Sequence, residues 1–269
     1  MDAGSPVAVP PPLPVHRQSP LVGFFIDLGL ALGLIFALSM VFTLGLAVWE
    51  GFAALREGRG DIDRLLQEVA QPDGVALVWL TLLATGSAAL IVYALRGRAS
   101  TPERQASRAA LRRPATWGWT LLVGLGVLLG SAAIGWAGEQ LGSQPVPTNE
   151  ALIKTAFAQS PVFLVVFAAL LAPAYEELLF RRVLFGRLWR AGRTGLGYAL
   201  SSVSFALVHE LPGLSANPWP ATLQLWLTYG LMGWAFAWVY RRTGTLWAAI
   251  GAHVLNNALA VALLVAGTG

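Results

Sequence analysis

Along this chain, apolar positions do not alternate with polar ones. They run in long stretches broken by short polar or basic punctuation. Seven stretches stand out, at about 21–49, 76–95, 115–138, 158–182, 194–211, 219–240 and 245–266. A helix needs about 20 apolar residues to cross a bilayer, and only a closed hydrogen-bonding pattern such as a helix survives in lipid. The pattern therefore predicts an all-α, polytopic membrane bundle of about seven helices. The second, third and sixth stretches contain no charge, and the fifth is the shortest.

The punctuation orients the bundle. Six arginines lie in 96–114, five in 181–193 and two in 241–244, and Arg17 precedes the first stretch. The remaining basic residues are Arg56, Arg59, Arg64 and Lys154, and the 50–75 connection also carries six acids. Basic connections face the cytoplasm, which places the amino terminus inside and, with seven crossings, the carboxyl terminus outside. Two outer connections read as short helices. In 61–70, Ile62, Leu65, Leu66 and Val69 fall on one face, as in a helix lying on a membrane. In PVPTNEALIKTAF, Thr148 or Asn149 precedes a helical pattern as a cap.

Composition agrees. The chain has 269 residues, 56% apolar and 12% charged, with mean hydropathy +0.62; soluble domains carry about 25% charge. Cysteine is absent, which excludes disulfide and thiolate chemistry. The net charge of +4 is accounted for by topology, and no nucleic-acid partner is expected. Residues 1–20 read as a disordered proline-rich tail, 21–115 as amino-terminal spans with an outer amphipathic loop, and 116–269 as a helical domain whose polar residues concentrate in 158–262. The bilayer expected is a bacterial inner membrane.

Charge inside a span is costly and points to function. Here the polar residues are Glu176, Glu177, Arg181, His209, Glu210 and His253, with Asn256 and Asn257 beside them. Asp27, near one end of the first span, reads as snorkelling to the interface. Adjacent helical residues point about 100° apart, so Glu176 and Glu177 cannot share a face. Glu177 and Arg181 are spaced i, i+4 in the favourable order for an ion pair, whereas Glu176 has Phe180 four residues on. Glu177 is thus the structural member and Glu176 the free one. FALVH puts Phe205 and His209 on one face, and HVLNN does the same for His253 and Asn257. A carboxylate with an imidazole can activate water. A second imidazole and an amide can stabilise an oxyanion. Alternatively, two histidines and a carboxylate can hold zinc. HExxH fails because Gly213 stands where its second histidine belongs, and GxSxG and the phosphate-binding loop are missing. GxxxG at Gly29–Gly33 and Gly126–Gly130 reports helix packing.

EELLFR, FALVH and HVLNN, in this order, fit the patterns EExxxR, FxxxH and HxxxN. The chain thereby resembles the CPBP family of intramembrane proteases, which includes the type II CAAX prenyl endopeptidases and the Abi-like proteins, over about residues 158–262. The resemblance implies an endopeptidase in which Glu176 activates water with His209, and His253 and Asn257 stabilise the oxyanion. Arg181 with Glu177 would brace the helix, and Phe205 would support the site. It leaves open a metal held by Glu176, His209 and His253, or a metal-free glutamate mechanism. The substrate implied is a membrane protein or lipid-anchored peptide. The competing readings are a non-proteolytic scaffold, immunity or regulatory protein retaining the motifs, and a proton- or ion-relaying transporter.

Overall fold

A computed structural model describes residues 19–58 and 73–267, with side chains to 263. The proline-rich tail, with His16, and the 61–70 helix expected from sequence lie outside the described residues. All regular structure among the described residues is helical. The helices are α1 (Pro20–Arg56), α2 (Gly74–Gly97), α3 (Thr101–Leu111), α4 (Pro114–Gln140), α5 (Glu150–Gln159), α6 (Pro161–Arg190), α7 (Thr194–His209), α8 (Trp219–Thr243) and α9 (Leu246–Gly267). Seven of them coincide with the seven apolar stretches. Five, namely α1, α2, α4, α6 and α9 to Leu263, are long and apolar enough to cross a membrane. α7 has only 16 residues, and α8 carries Thr222, Gln224 and Thr228 among its apolar residues. The protein is an integral, multi-pass membrane protein.

Local chemistry starts and stops these helices. Proline occupies the first turn of α1, α4, α6 and α8, where its missing N–H costs nothing. Asp73 caps α2 by accepting from the Ala76 N–H at 2.7 Å. Ser100 and Glu103 form a reciprocal capping box on α3. The expected cap on α5 differs: Asn149 is the capping residue but makes no side-chain bond, and the Thr148 hydroxyl donates to Glu210 instead, at 2.9 Å. α8 ends at Gly244, whose φ of 73° is a left-handed conformation that glycine adopts without strain. α7 stops at His209 because Pro212 and Gly213, φ 78°, follow. Proline disfavours helical geometry at the residue before it.

Two sequence expectations change. Asp27 does not snorkel. It is fully buried and receives Arg96 Nε at 2.7 Å and Arg187 at 2.5 Å, so it ties α1 to the ends of α2 and α6. A Cβ added at Gly29 or Gly33 would meet nothing within 4 Å beyond its own helix backbone. The pair lies where α1 shows its apolar face, with Phe36, Met40 and Leu44 more than half exposed. The close helix approach is made by Gly233 instead. A Cβ there would stand 2.8 Å from the Ser202 Cα, so α7 and α8 pack backbone to backbone.

The apolar pattern ends the fourth stretch at Arg182, but α6 continues to Arg190. Arg181 is completely buried and Arg182 nearly so. Arg182 donates to Gly97 O at 2.9 Å and forks onto Glu103 at 2.9 Å through both terminal nitrogens. The short amphipathic α3 is thereby clamped under the bundle. A cluster of buried apolar residues runs from Phe24 and Ala31 of α1 through α2, α6, α7 and α8 to Ala252 of α9.

Candidate active site

The site begins with how α6 accommodates a proline. The Ala172 N–H bonds to Phe167 O, five residues back, in a wide π-type stretch at Phe167–Leu171. The next carbonyl, Ala168, would look to residue 173 in the same pattern. That residue is Pro173, which has no N–H. Asn257 of α9 supplies the missing donor, with Nδ2 to Ala168 O at 2.9 Å. Asn256 fixes the same amide from the other side, donating to Asn257 Oδ1 at 3.0 Å. A proline, a widened turn and an asparagine on a distant helix therefore act as one joint. A second wide stretch, Leu178–Phe185, follows directly after the glutamates. Such π-turns recur at functional sites.

Between the two wide turns, Glu176 and Glu177 diverge as the helical geometry requires. Glu177 and Arg181 are both without solvent exposure, with Oε2 and Nε 3.0 Å apart. The other Glu177 oxygen meets His253 Nδ1 at 2.9 Å. The Arg181 guanidinium lies over the ring of Phe205 at 4.5 Å and faces Phe236 at 5.5 Å. Phe236 also stacks on the His253 ring, centroids 4.6 Å apart. An ion pair in such a place needs tight geometry to offset desolvation; here the rings add cation–π attraction to it.

Glu176 is the partly open carboxylate, its side chain 17% exposed. Its Oε2 stands 3.8 Å from His209 Nε2 and 3.8 Å from His253 Nε2. Both imidazoles are oriented from behind. His209 Nδ1 is 2.8 Å from the Phe205 carbonyl oxygen, which can only accept, so this nitrogen carries the proton. The Nδ1 of His253 is held in the same way by Glu177 Oε1. In each ring Nε2 is thereby the nitrogen turned toward Glu176. A separation of 3.8 Å is too long for a direct hydrogen bond. It suits a water molecule sitting beside all three atoms.

Of the residues singled out from sequence, Glu176, His209 and His253 come together on three helices. Glu177, Arg181 and Phe205 stand behind them. Asn257 lies one turn after His253 with one of its two N–H groups engaged by Ala168. Glu210 is not in the cluster. It is buried just beyond α7 and accepts from the Thr148 N–H at 3.2 Å and Asn217 Nδ2 at 3.3 Å. Burial pushes its carboxyl up, but hydrogen bonds from Ser215, Thr148 and Asn217 outweigh this and hold it below the usual range. Two aromatic residues had no motif to announce them. Tyr229 packs on His209 with centroids 4.7 Å apart, and Phe236 packs on His253. Their spacing along α8, together with Met232 and Gly233, was the available signal.

The three donors Glu176, His209 and His253 are those zinc would use. Yet both imidazole nitrogens stand off a single carboxylate oxygen. Among the described residues, no group of three or more His, Asp or Glu side chains is disposed to hold a metal ion. Metalloprotease chemistry finds no support in this arrangement.

The depth of the cluster resolves a difficulty in the sequence. Measured from Arg181 and Arg193, Glu176 and His209 sit at different levels. The true turn between α6 and α7 is at 191–193, and Glu176 lies fourteen residues before Arg190 while His209 lies fifteen after Thr194. At about 1.5 Å per residue the two are level, and Glu176 falls at the midpoint of α6.

Comparison with known proteins adds an independent line. Residues 158–259 match the family model described as type II CAAX prenyl endopeptidase Rce1-like. The candidate membrane peptidase YdiL of Bacillus subtilis (strain 168) is 31% identical over 103 residues, 38% of this chain and 38% of that protein. The match thus spans well under half the length of this curated relative. No solved structure matches the chain significantly.

Proposed function

We infer, from the match of residues 158–259 to the Rce1-like type II CAAX prenyl endopeptidases, that the chain is a membrane-embedded endopeptidase of the CPBP family using a glutamate-activated water. The observation that carries this is the position of one Glu176 oxygen at 3.8 Å from two oriented imidazole nitrogens. In this reading, Glu176 Oε2 takes a proton from water as the water oxygen attacks the amide carbon. His209 Nε2 orients the water. The oxyanion is met by His253 Nε2, which donates there when its ring carries both protons. The second N–H of Asn257 is the other available donor. The proton held by Glu176 then passes to the leaving nitrogen as the C–N bond breaks. Preorganised donors of this kind typically supply a few kcal/mol of transition-state stabilisation each.

The substrate class is a membrane protein or a lipid-anchored peptide, because only such chains reach a site at the middle of α6. The reading counts α7 and α8 among the crossing segments, sets the arginine-rich end in the cytoplasm, and places the protein in a bacterial inner membrane. The test compares purified wild type and Glu176→Gln on a library of membrane peptides, with and without a chelator. The expected outcome is cleavage by wild type in both conditions and its loss, by a factor of about 100 or more, in a variant that still inserts and elutes as a folded species. Cleavage retained by Glu176→Gln would remove the mechanism.

A further inference from the structure

At the arginine-rich end, well away from Glu176, lies a cavity of about 370 Å³ lined by Trp189, Tyr198, Trp238, Arg241 and Arg242. Three aromatic walls come from α6, α7 and α8, and the two arginines form the last turn of α8. Both arginines are exposed, and neither has an ion pair among the described residues. The Arg242 guanidinium rests over the Trp119 ring at 5.1 Å, which positions it without neutralising it. The carboxylates described at this end, Asp27 and Glu103, are already committed to Arg96, Arg187 and Arg182. The Tyr198 hydroxyl is shut from solvent and has no hydrogen-bond partner among the described residues. Cationic forks at a mouth and an unused buried donor suit an oxyanion ligand.

The surroundings select which oxyanion. Leu223, Leu227 and Trp234 of α8 are 42%, 56% and 49% exposed. At about 100° per residue they share one face with Trp238 and Arg241. The Trp234 ring lies 5.9 Å from Tyr198, so an apolar stripe runs from the cavity along the length of α8. A free phosphate would leave that stripe bare, whereas a phosphate bearing acyl chains covers both parts. Basic pockets with aromatic walls at a bilayer interface recognise lipid headgroups in this way.

We propose that this cavity binds the headgroup phosphate of an anionic phospholipid, held by Arg241 and Arg242, with an acyl chain along Trp234, Leu227 and Leu223. The site is separate from the catalytic reading and stands whether or not that reading does. The experiment uses the full chain in neutral detergent and measures binding of short-chain phosphatidylglycerol, phosphatidylcholine and inorganic phosphate. Wild type should bind phosphatidylglycerol, and R241Q/R242Q should lose affinity by about tenfold or more. R108Q/R112Q, which removes two exposed arginines of the same end outside the cavity, should change it less than about twofold. Tyr198→Phe should weaken it by roughly two- to fivefold. Equal loss in the two arginine variants would reduce the effect to surface charge and overturn the site. Equal binding of phosphatidylcholine, or displacement by an equal concentration of inorganic phosphate, would overturn the lipid assignment. Should R241Q/R242Q fail to fold, Tyr198→Phe decides: unchanged phosphatidylglycerol affinity rejects the proposal.

Discussion

Glu176 and Glu177 are neighbours in sequence with opposite surroundings. Glu177 answers two positive or polar partners in a closed space, so its removal strands Arg181 among aromatic rings. Glu177→Ala should destabilise the protein by about 3–5 kcal/mol, read as a lower thermal midpoint in detergent. Glu176→Gln should leave that midpoint near wild type, because Glu176 makes no close bond. Finding the two variants equally destabilised would contradict the division of roles. This division is legible in the sequence, since i, i+4 spacing identifies Glu177 as the partner of Arg181. The Glu177–His253 bond is not. It joins residues 76 positions apart, and no local periodicity reports which histidine faces which carboxylate. Asp27 defeats sequence reasoning for the same reason: its partners Arg96 and Arg187 lie on other helices.

For single elements, α6 shows how a helix can carry a proline and two wide turns. Pro173 removes the N–H that Ala168 O needs, and Asn257 replaces it. Asn257→Leu should therefore leave a buried carbonyl unmet and cost about 1–3 kcal/mol. Pro173→Ala in the same background restores a backbone donor and should recover part of that loss. The double-mutant cycle, read by thermal unfolding, should show a coupling of roughly 0.5 kcal/mol or more, and additivity would dismiss the joint. Helix existence is plain from the apolar runs. Helix ends are not, because Arg181 and Arg182 look like a membrane boundary until their burial against Glu177 and Glu103 is seen.

For the whole molecule, the arginine-rich end is held by a few ion pairs across helices. Glu103 is strongly perturbed among these groups. Its hydrogen bond from Arg182 brings the carboxyl down to about 2 from an ordinary 4.5. A lowered native value means the stabilisation is complete above the unfolded value. It declines as pH falls below 4.5 and is gone near 2. Wild type should thus be more stable than Glu103→Gln at neutral pH, with the gap closing in that acid window. A gap that stays constant with pH would show that the pair is not the source. Exposure and screening keep its size modest.

The place of Glu176 at the midpoint of α6 also sets a length rule. From either end of α6 the carboxylate is about 20 Å away at about 1.5 Å per residue. An extended chain covers about 3.4 Å per residue, so a substrate entering from an aqueous face must provide a tether of about six unfolded residues before its cut point. A folded domain anchored closer than that is held off by its own bulk. On the proposed endopeptidase reading, the protein would then act as a ruler, trimming long tails and sparing short ones of identical local sequence. Fusing a rigid domain to a cleaved peptide through progressively shorter spacers should show an abrupt cutoff near that length.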